Sequence, residues 1–264
     1  MNLRQAAGPP RWAIVIASLG LGFLLIPMVT TIVRAPWGRL GSILTSEEVV
    51  TTLRLSIACS LAATMISAVV GVPLAWVLAR SSFPGKRLVR GVVILPVVLP
   101  PVIAGLALIT AFGRSGLVGR WLFETFGLTL PFSATGTILA ETFVAMPFLI
   151  LAVEGALRTS DQRYEDAAAT LGAGSWAVFR RVTVPAIAPA IVTGMLLAWA
   201  RALGEFGATI TFAGNLPGAT RTVPLAAFFA LQRDPEAAIA LSLVLIAVSL
   251  AVLVALRDRW LVTA

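Results

Sequence analysis

Six stretches of this chain run apolar for long enough to cross a bilayer, which takes about 20 helical residues. They cover 12–33, 51–79, 89–113, 135–156, 186–213 and 237–256. Short polar connections separate most of them, and the longest charged interruption is 157–185. The pattern predicts an all-α membrane protein of six transmembrane helices forming one domain over 1–264. The first run follows Arg4 and Arg11, as a secretory signal would. It is too long for a signal core, and no small-x-small cleavage site follows, so it reads as an uncleaved span.

The connections set the orientation. With the N-terminus inside, the inner segments hold Arg4, Arg11, Arg80, Lys86, Arg87, Arg90, Arg158, Arg163, Arg180, Arg181, Arg257 and Arg259. The outer segments hold Arg34, Arg39, Arg54, Arg114, Arg120, Arg221 and Arg233. Twelve against seven favours cytoplasmic N- and C-termini and places 157–185 in the cytoplasm. The same distribution explains the net charge of +8 and the pI near 11.4. The arginines lie in loops between apolar runs, so the charge points to membrane orientation and not to nucleic acid. With 58% hydrophobic and 12% charged residues and a mean hydropathy of +0.95, the chain is a plasma (inner) membrane, multi-pass protein in contact with the lipid bilayer. Cys59 is the single cysteine, so no intrachain disulfide exists, and there is no histidine.

Within the spans, a few residues break the apolar pattern. Leu95-Pro96-Val97-Val98-Leu99-Pro100-Pro101 removes three amide donors and must kink or break the third helix. Pro96, Pro100 and Pro101 are therefore a gate or hinge, or a fixed kink that shapes packing. The outer segment from Arg114 to Phe132 carries apolar residues from Trp121 to Phe126 and suits the membrane interface. Glu154 is placed to reach Arg158 one turn on, and Glu141 is a deeper carboxylate that requires a partner. In the fifth run, Gly194, Ala198, Arg201, Glu205, Ala208, Thr209 and Phe212 share one helical stripe. Arg201 and Glu205 can neutralise each other, either along a translocation path at a subunit interface or as a pair that fixes packing. A loop rich in Gly, Asn and Pro, containing Asn215, follows to Leu225.

The 157–185 segment is organised as a small polar helical element. Thr159 or Ser160 can cap a helix, and Asp161, Glu165 and Asp166 load its first turns with negative charge, as the helix dipole favours. Gly172 can end it, Gly174-Ser175 can open a second short helix through Arg181, and Pro185 and Pro189 suit the start of a new apolar helix. The spacing Asp166-Ala167-Ala168-x-x-x-Gly172-x9-Val182-x-Val184-Pro185 resembles the "EAA" loop of ATP-binding cassette importer permeases, with Asp for Glu and Val for Ile and Leu. The segments Gly204-Glu205-Phe206-Gly207-Ala208-Thr209, Gly214-Asn215-Leu216-Pro217-Gly218, Pro96–Pro101 and Gly113–Gly119 resemble oxyanion permeases of the molybdate/tungstate branch, with the sulfate/thiosulfate branch second.

That resemblance implies a type I ABC importer permease fold, a homodimeric pore, two ABC ATPase subunits docked in the cytoplasm and an external substrate-binding protein. It implies that Glu165, Asp166, Ala167, Ala168, Gly172, Val182 and Pro185 form the ATPase-coupling loop, and that Arg201, Glu205, Thr209 and Asn215 line a path or interface. ATP and Mg would sit on the partner ATPase. The chain itself carries no Walker-type phosphate loop, no metal-ligand cluster and no nucleophile–base pair, so no cofactor, metal or catalytic residue is assigned to it. A proton-coupled secondary anion transporter, with Glu141 or Glu205 titrating, is the alternative of another class.

Overall fold

The computed structural model describes residues 10–260, with side chains to Ala255. Arg4 lies outside the described residues, as do the side chains of Arg257 and Arg259. In chain order the helices are α1 Arg11–Val33, α2 Leu40–Leu44, α3 Glu47–Arg80, α4 Lys86–Val98, α5 Pro101–Phe112, α6 Leu117–Phe126 and α7 Ala134–Thr159. Then come α8 Arg163–Thr170, α9 Ser175–Val178, a π-helical turn Phe179–Thr183, α10 Val184–Leu203, α11 Gly207–Phe212, α12 Val223–Ala230 and α13 Pro235–Trp260. Among the described residues there is no strand.

Local chemistry accounts for the main boundaries. Glu47 and Glu48 open α3 and Arg80 closes it, each charge complementing its end of the helix dipole. The Ser133 hydroxyl accepts the Gly136 N–H at 3.1 Å and starts α7. Some buried hydroxyls inside spans return to their own helix, as Thr64 does to the Ser60 carbonyl and Thr142 to that of Ile138. None of these polar atoms then faces lipid unsatisfied.

Five helical runs are long and apolar enough to cross a membrane: Arg11–Val33, Glu47–Arg80, Ala134–Thr159, Ser175–Leu203 and Pro235–Ala255. The third expected span, 89–113, is not one helix. It consists of α4 and α5, bent by 119°. Pro96 stays inside α4, whereas Pro100 and Pro101 stand at the cap and first turn of α5, where a missing N–H costs nothing. The fifth expected span, 186–213, also stops early. Its helix ends at Leu203, and Gly204–Phe206 separate it from α11. The stripe from Gly194 to Phe212 is therefore not continuous. The short helix α12, inside what reads as an outer loop, is an addition.

Two buried clusters hold the bundle. One joins α3, α7 and α10 through Ala63, Ala75, Leu149, Ile150, Ala198 and Ala202. The other joins α5, α7 and α11 through Ala104, Leu108, Ala140, Val144, Ala208 and Phe212. Small residues let the helices approach closely, as membrane packing without a hydrophobic drive requires. By contrast α1 has no buried residue, and its side chains face outward along its length.

Candidate functional site

The element between α7 and α10 is assembled from short-range hydrogen bonds. Asp161 Oδ1 accepts the Arg163 N–H at 2.9 Å and starts α8. The expected caps Thr159 and Ser160 do not do this. Their hydroxyls donate to Ala156 O at 3.1 Å and Leu157 O at 3.0 Å, closing α7 instead. Glu165 and Asp166 do fall in the first turn of α8. Gly172 ends the helix at φ +86°, a backbone conformation that favours glycine. Its N–H reaches Ala169 O at 2.9 Å, and that of Ala173 reaches Ala168 O at 3.1 Å. Ser175 opens α9, Val182 is half-buried in the π-helical turn, and Pro185 is exposed at the start of α10.

Two contacts fix this element to the bundle. Arg80, at the end of α3, grips Glu165 with Nε and Nη2, both at 3.1 Å, and Nη2 also donates to Ser160 Oγ at 2.8 Å. Both charged side chains are only 14% exposed, and the two-pronged geometry is the strong form of such a pair. Phe179 is buried between two tryptophans, with ring centroids 4.7 Å from Trp76 of α3 and 5.6 Å from Trp176 of α9. Glu165 therefore faces inward. Asp166 and Ala167 face outward, beside exposed Tyr164, Leu171 and Trp176. The α8–α9 element thus displays three large side chains to solvent while being anchored from behind.

Deeper in the bundle, the break at Gly204–Phe206 carries charge. Arg201 Nη2 meets Glu205 Oε2 at 2.6 Å, and Glu205 Oε1 accepts the Ala208 N–H at 2.8 Å. Glu205 is 1% exposed and is satisfied by these bonds. Glu141 of α7 is equally buried and lies within electrostatic reach of Glu205, but its Oε2 has no hydrogen-bond partner among the described residues. Thr209 is fully buried in α11, and its hydroxyl has no such partner either.

Pro101, at the bend between α4 and α5, touches this region directly. A Cβ on Gly207 would lie 2.4 Å from Pro101 Cβ, and one on Gly105 would lie 2.5 Å from Thr211 Cβ. Backbone approach at α5–α11 thus depends on two glycines. Asn215 stands apart. It accepts from Arg221 Nε at 3.0 Å and lines a separate cavity of about 630 Å³ with Arg39, Glu48, Arg221 and Arg233. Among the described residues no group of His, Cys, Asp or Glu is placed to hold a metal.

A family model for "binding-protein-dependent transport system inner membrane component" matches residues 71–263. The chain belongs to this family. It is an inner-membrane, multi-pass permease subunit, not an enzyme. The permease is 45% identical over 250 residues to the molybdenum transport system permease protein ModB of Mycobacterium tuberculosis, covering 95% of this chain and 94% of the relative. It is 44% identical over 207 residues to ModB of Escherichia coli, covering 78% and 90%. The sulfate transport system permease protein CysT of Escherichia coli is 35% identical over 234 residues, covering 87% and 84%.

Among solved structures, a bacterial ABC transporter involved in the import of the acidic polysaccharide alginate aligns at a TM-score of 0.72 with 18% identity, covering 96% of each chain. The MetNI methionine ABC transporter, in an inward-facing conformation, aligns at 0.57 with 19% identity, covering 81% of the permease and 97% of that chain. The fold is that of type I ABC importer permeases.

Sequence reading missed several residues that position the permease's site. Glu154 bonds Arg90 of α4 as well as Arg158, so it ties α4 to α7 and is not merely a surface helix pair. Arg80, Trp76 and Phe179 were not singled out. Their one signal is that Arg80 closes a long apolar run and Trp76 sits one turn before it.

Proposed function

We propose that this chain is the transmembrane pore subunit of an ATP-driven oxyanion importer whose substrate is molybdate, with tungstate taken by the same route. The observation that carries the substrate class is the near end-to-end likeness to molybdenum permeases at 44–45% identity, against 35% for a sulfate permease. In this reading two copies form the pore and two ATPase subunits dock on the exposed face of α8 from the cytoplasm. An external binding protein selects the anion. ATP and Mg belong to the ATPase, and closure of the two ATPases moves the paired α8 elements.

The anchoring of α8 supports the reading. A rigid attachment is needed if a push on Tyr164, Asp166, Ala167 and Leu171 is to reach the bundle, and Arg80–Glu165 together with Trp76–Phe179 supplies one. Glu165 then acts from behind as the strut of the docking helix, while Ala168, Gly172, Val182 and Pro185 set its shape. Arg201 and Glu205 border the path at the break in the fifth span, beside Thr209. Asn215 belongs to the external entrance, and Pro100–Pro101 form the hinge against α11.

Co-purification of the permease with its ATPase tests the docking face. Ala167→Arg, on an exposed position, is expected to abolish association while the permease still inserts. Uptake into proteoliposomes containing the ATPase and the binding protein then tests the substrate: molybdate uptake that requires ATP and outcompetes sulfate is expected. Sulfate preference would move the chain to the sulfate reading. Uptake without ATP would overturn the importer and bring Glu141 and Glu205 forward as proton-coupling groups.

A further inference from the structure

Two polar regions of the permease are separated by a line of aromatic rings. One is the cavity of about 630 Å³, whose polar lining includes Ser46, Glu48, Thr52, Asn215, Arg221 and Arg233. Glu48 and Thr52 lie near the start of α3, and Arg80, which holds α8, ends the same helix. The cavity therefore lies at the end of the bundle opposite α8, roughly 50 Å away along a helix of 34 residues. The other polar region is the Arg201–Glu205 break in the fifth span.

The short helix α12 stands between them. Its start is sunk in the bundle, with Thr222, Val223 and Leu225 all buried. The Val223 N–H donates to Ser56 Oγ of α3 at 2.7 Å and pins that end. Further along α12, Phe229 is part of the cavity wall, and Phe228 meets it edge-on with ring centroids 5.4 Å apart. Phe206 meets Phe228 in turn, at 5.0 Å, and Phe206 is the last residue of the break between α10 and α11. Three rings in contact thus run from the cavity wall to the break. They belong to neither buried cluster: Phe228 is 48% exposed, and Phe206 and Phe229 are half-buried. Phe206 also sits in non-helical backbone, which a membrane tolerates where it is buried in protein or lines a cavity. A phenyl ring offers no hydrogen bond to replace water, so partly exposed rings in contact bar a hydrated anion without using charge.

We propose that Phe206 and Phe228 are the gate between the outer cavity and the break, shut in this structure, with Phe229 as its fixed side. The two rings are carried by separate elements. Phe228 belongs to α12, which Ser56 ties to α3, whereas Phe206 belongs to the junction of α10 and α11. A shift of that junction against α3 pulls one ring off the other and joins the cavity to the break. The proposal rests on the reading of the chain as an oxyanion pore subunit, and adds where that pore is closed.

The full-length permease with its ATPase is reconstituted into proteoliposomes loaded with radiolabelled molybdate, and efflux is followed without ATP. Wild type is expected to retain the anion. Phe228→Ala is expected to lose it about tenfold faster, a change of the size that one lost aromatic contact gives. Phe228→Leu, which keeps bulk, is expected to hold molybdate as wild type does, a rescue that a loss of folding would not show. A second test needs no truncation. Phe206→Cys/Phe228→Cys is made with Cys59→Ala, so that no other thiol remains, and is joined by a cleavable bis-maleimide. Joining the two positions is expected to stop ATP-driven uptake, and cleaving the linker to restore it. Efflux from Phe228→Ala at the wild-type rate overturns the gate, and so does undiminished uptake with the linker in place. Failure of the pore reading looks different: wild type then takes up no molybdate with ATP, whereas failure of the gate alone leaves wild-type uptake intact.

Discussion

Glu165 in α8 and Glu205 in the broken fifth span are both carboxylates held by an arginine, but their surroundings differ. Glu165 is gripped by Arg80, which comes from another helix 85 positions away in the chain, and both side chains keep partial contact with solvent. Glu205 is bonded by Arg201 one turn before it and by the Ala208 N–H three residues after it, and it is 1% exposed. The first pair joins two separate elements, the end of α3 and α8. The second is part of the backbone's own hydrogen bonding. A charge at the rim can therefore be altered to change how one element is held, whereas a charge at the break is part of what keeps the bundle folded.

The sharpest way to break this contrast is Glu205→Ala. It leaves Arg201 uncompensated and the Ala208 N–H unsatisfied, and a loss of about 3–5 kcal/mol is expected. Poor recovery or a markedly lower unfolding temperature in detergent is the readout, and near-normal stability would show that Glu141 can replace it. Next comes Gly207→Ala. Its new methyl collides with Pro101, and overpacking of about 1–3 kcal/mol is expected, together with impaired transport. Arg80→Ala should act differently. Unfolding of the bundle is expected to change little, while ATPase association weakens by about tenfold, equivalent to loss of one strong charged hydrogen bond. The smallest effect is expected from Glu141→Gln, which removes charge and preserves shape. Because Oε2 of Glu141 has no partner to lose, stability should hold or rise by up to about 1 kcal/mol. A large fall would point to a partner for Glu141 on a second copy of the chain.

Features coded by neighbouring residues were legible before any coordinates. The polar helical element within 157–185 is contiguous, Gly172 marks a left-handed helix end, and the paired prolines mark the bend at Leu99–Pro100. Arg201 and Glu205 were expected to pair, and they do. The early end of α10 was not legible. Arg201, Glu205, Ala208 and Phe212 keep a helical period, and isolated glycines such as Gly204 and Gly207 within an apolar run are no stop signal. The interruption is decided by Glu205 turning back to take an amide of the next helix, a side-chain choice that periodicity does not encode. Arg80–Glu165, Arg90–Glu154 and Trp76–Phe179 were hidden for a simpler reason. Each joins residues more than sixty positions apart, and hydrophobic pattern carries no information on which helices become neighbours.

The π-helical turn at Phe179–Thr183 has a mechanical consequence. It takes up an extra residue without ending the helix, so α9, the turn and α10 form one uninterrupted run, Ser175–Leu203. Its 29 residues make a rod about 40 Å long, with one end beside the exposed tryptophan at position 176 and the other at the Arg201–Glu205 break. A tilt of about 10° at one end sweeps the other through about 7 Å, more than one helical turn. Levers need a fulcrum, and Phe179 clamped against Trp76 stands near the α9 end, where a short stroke becomes a long one.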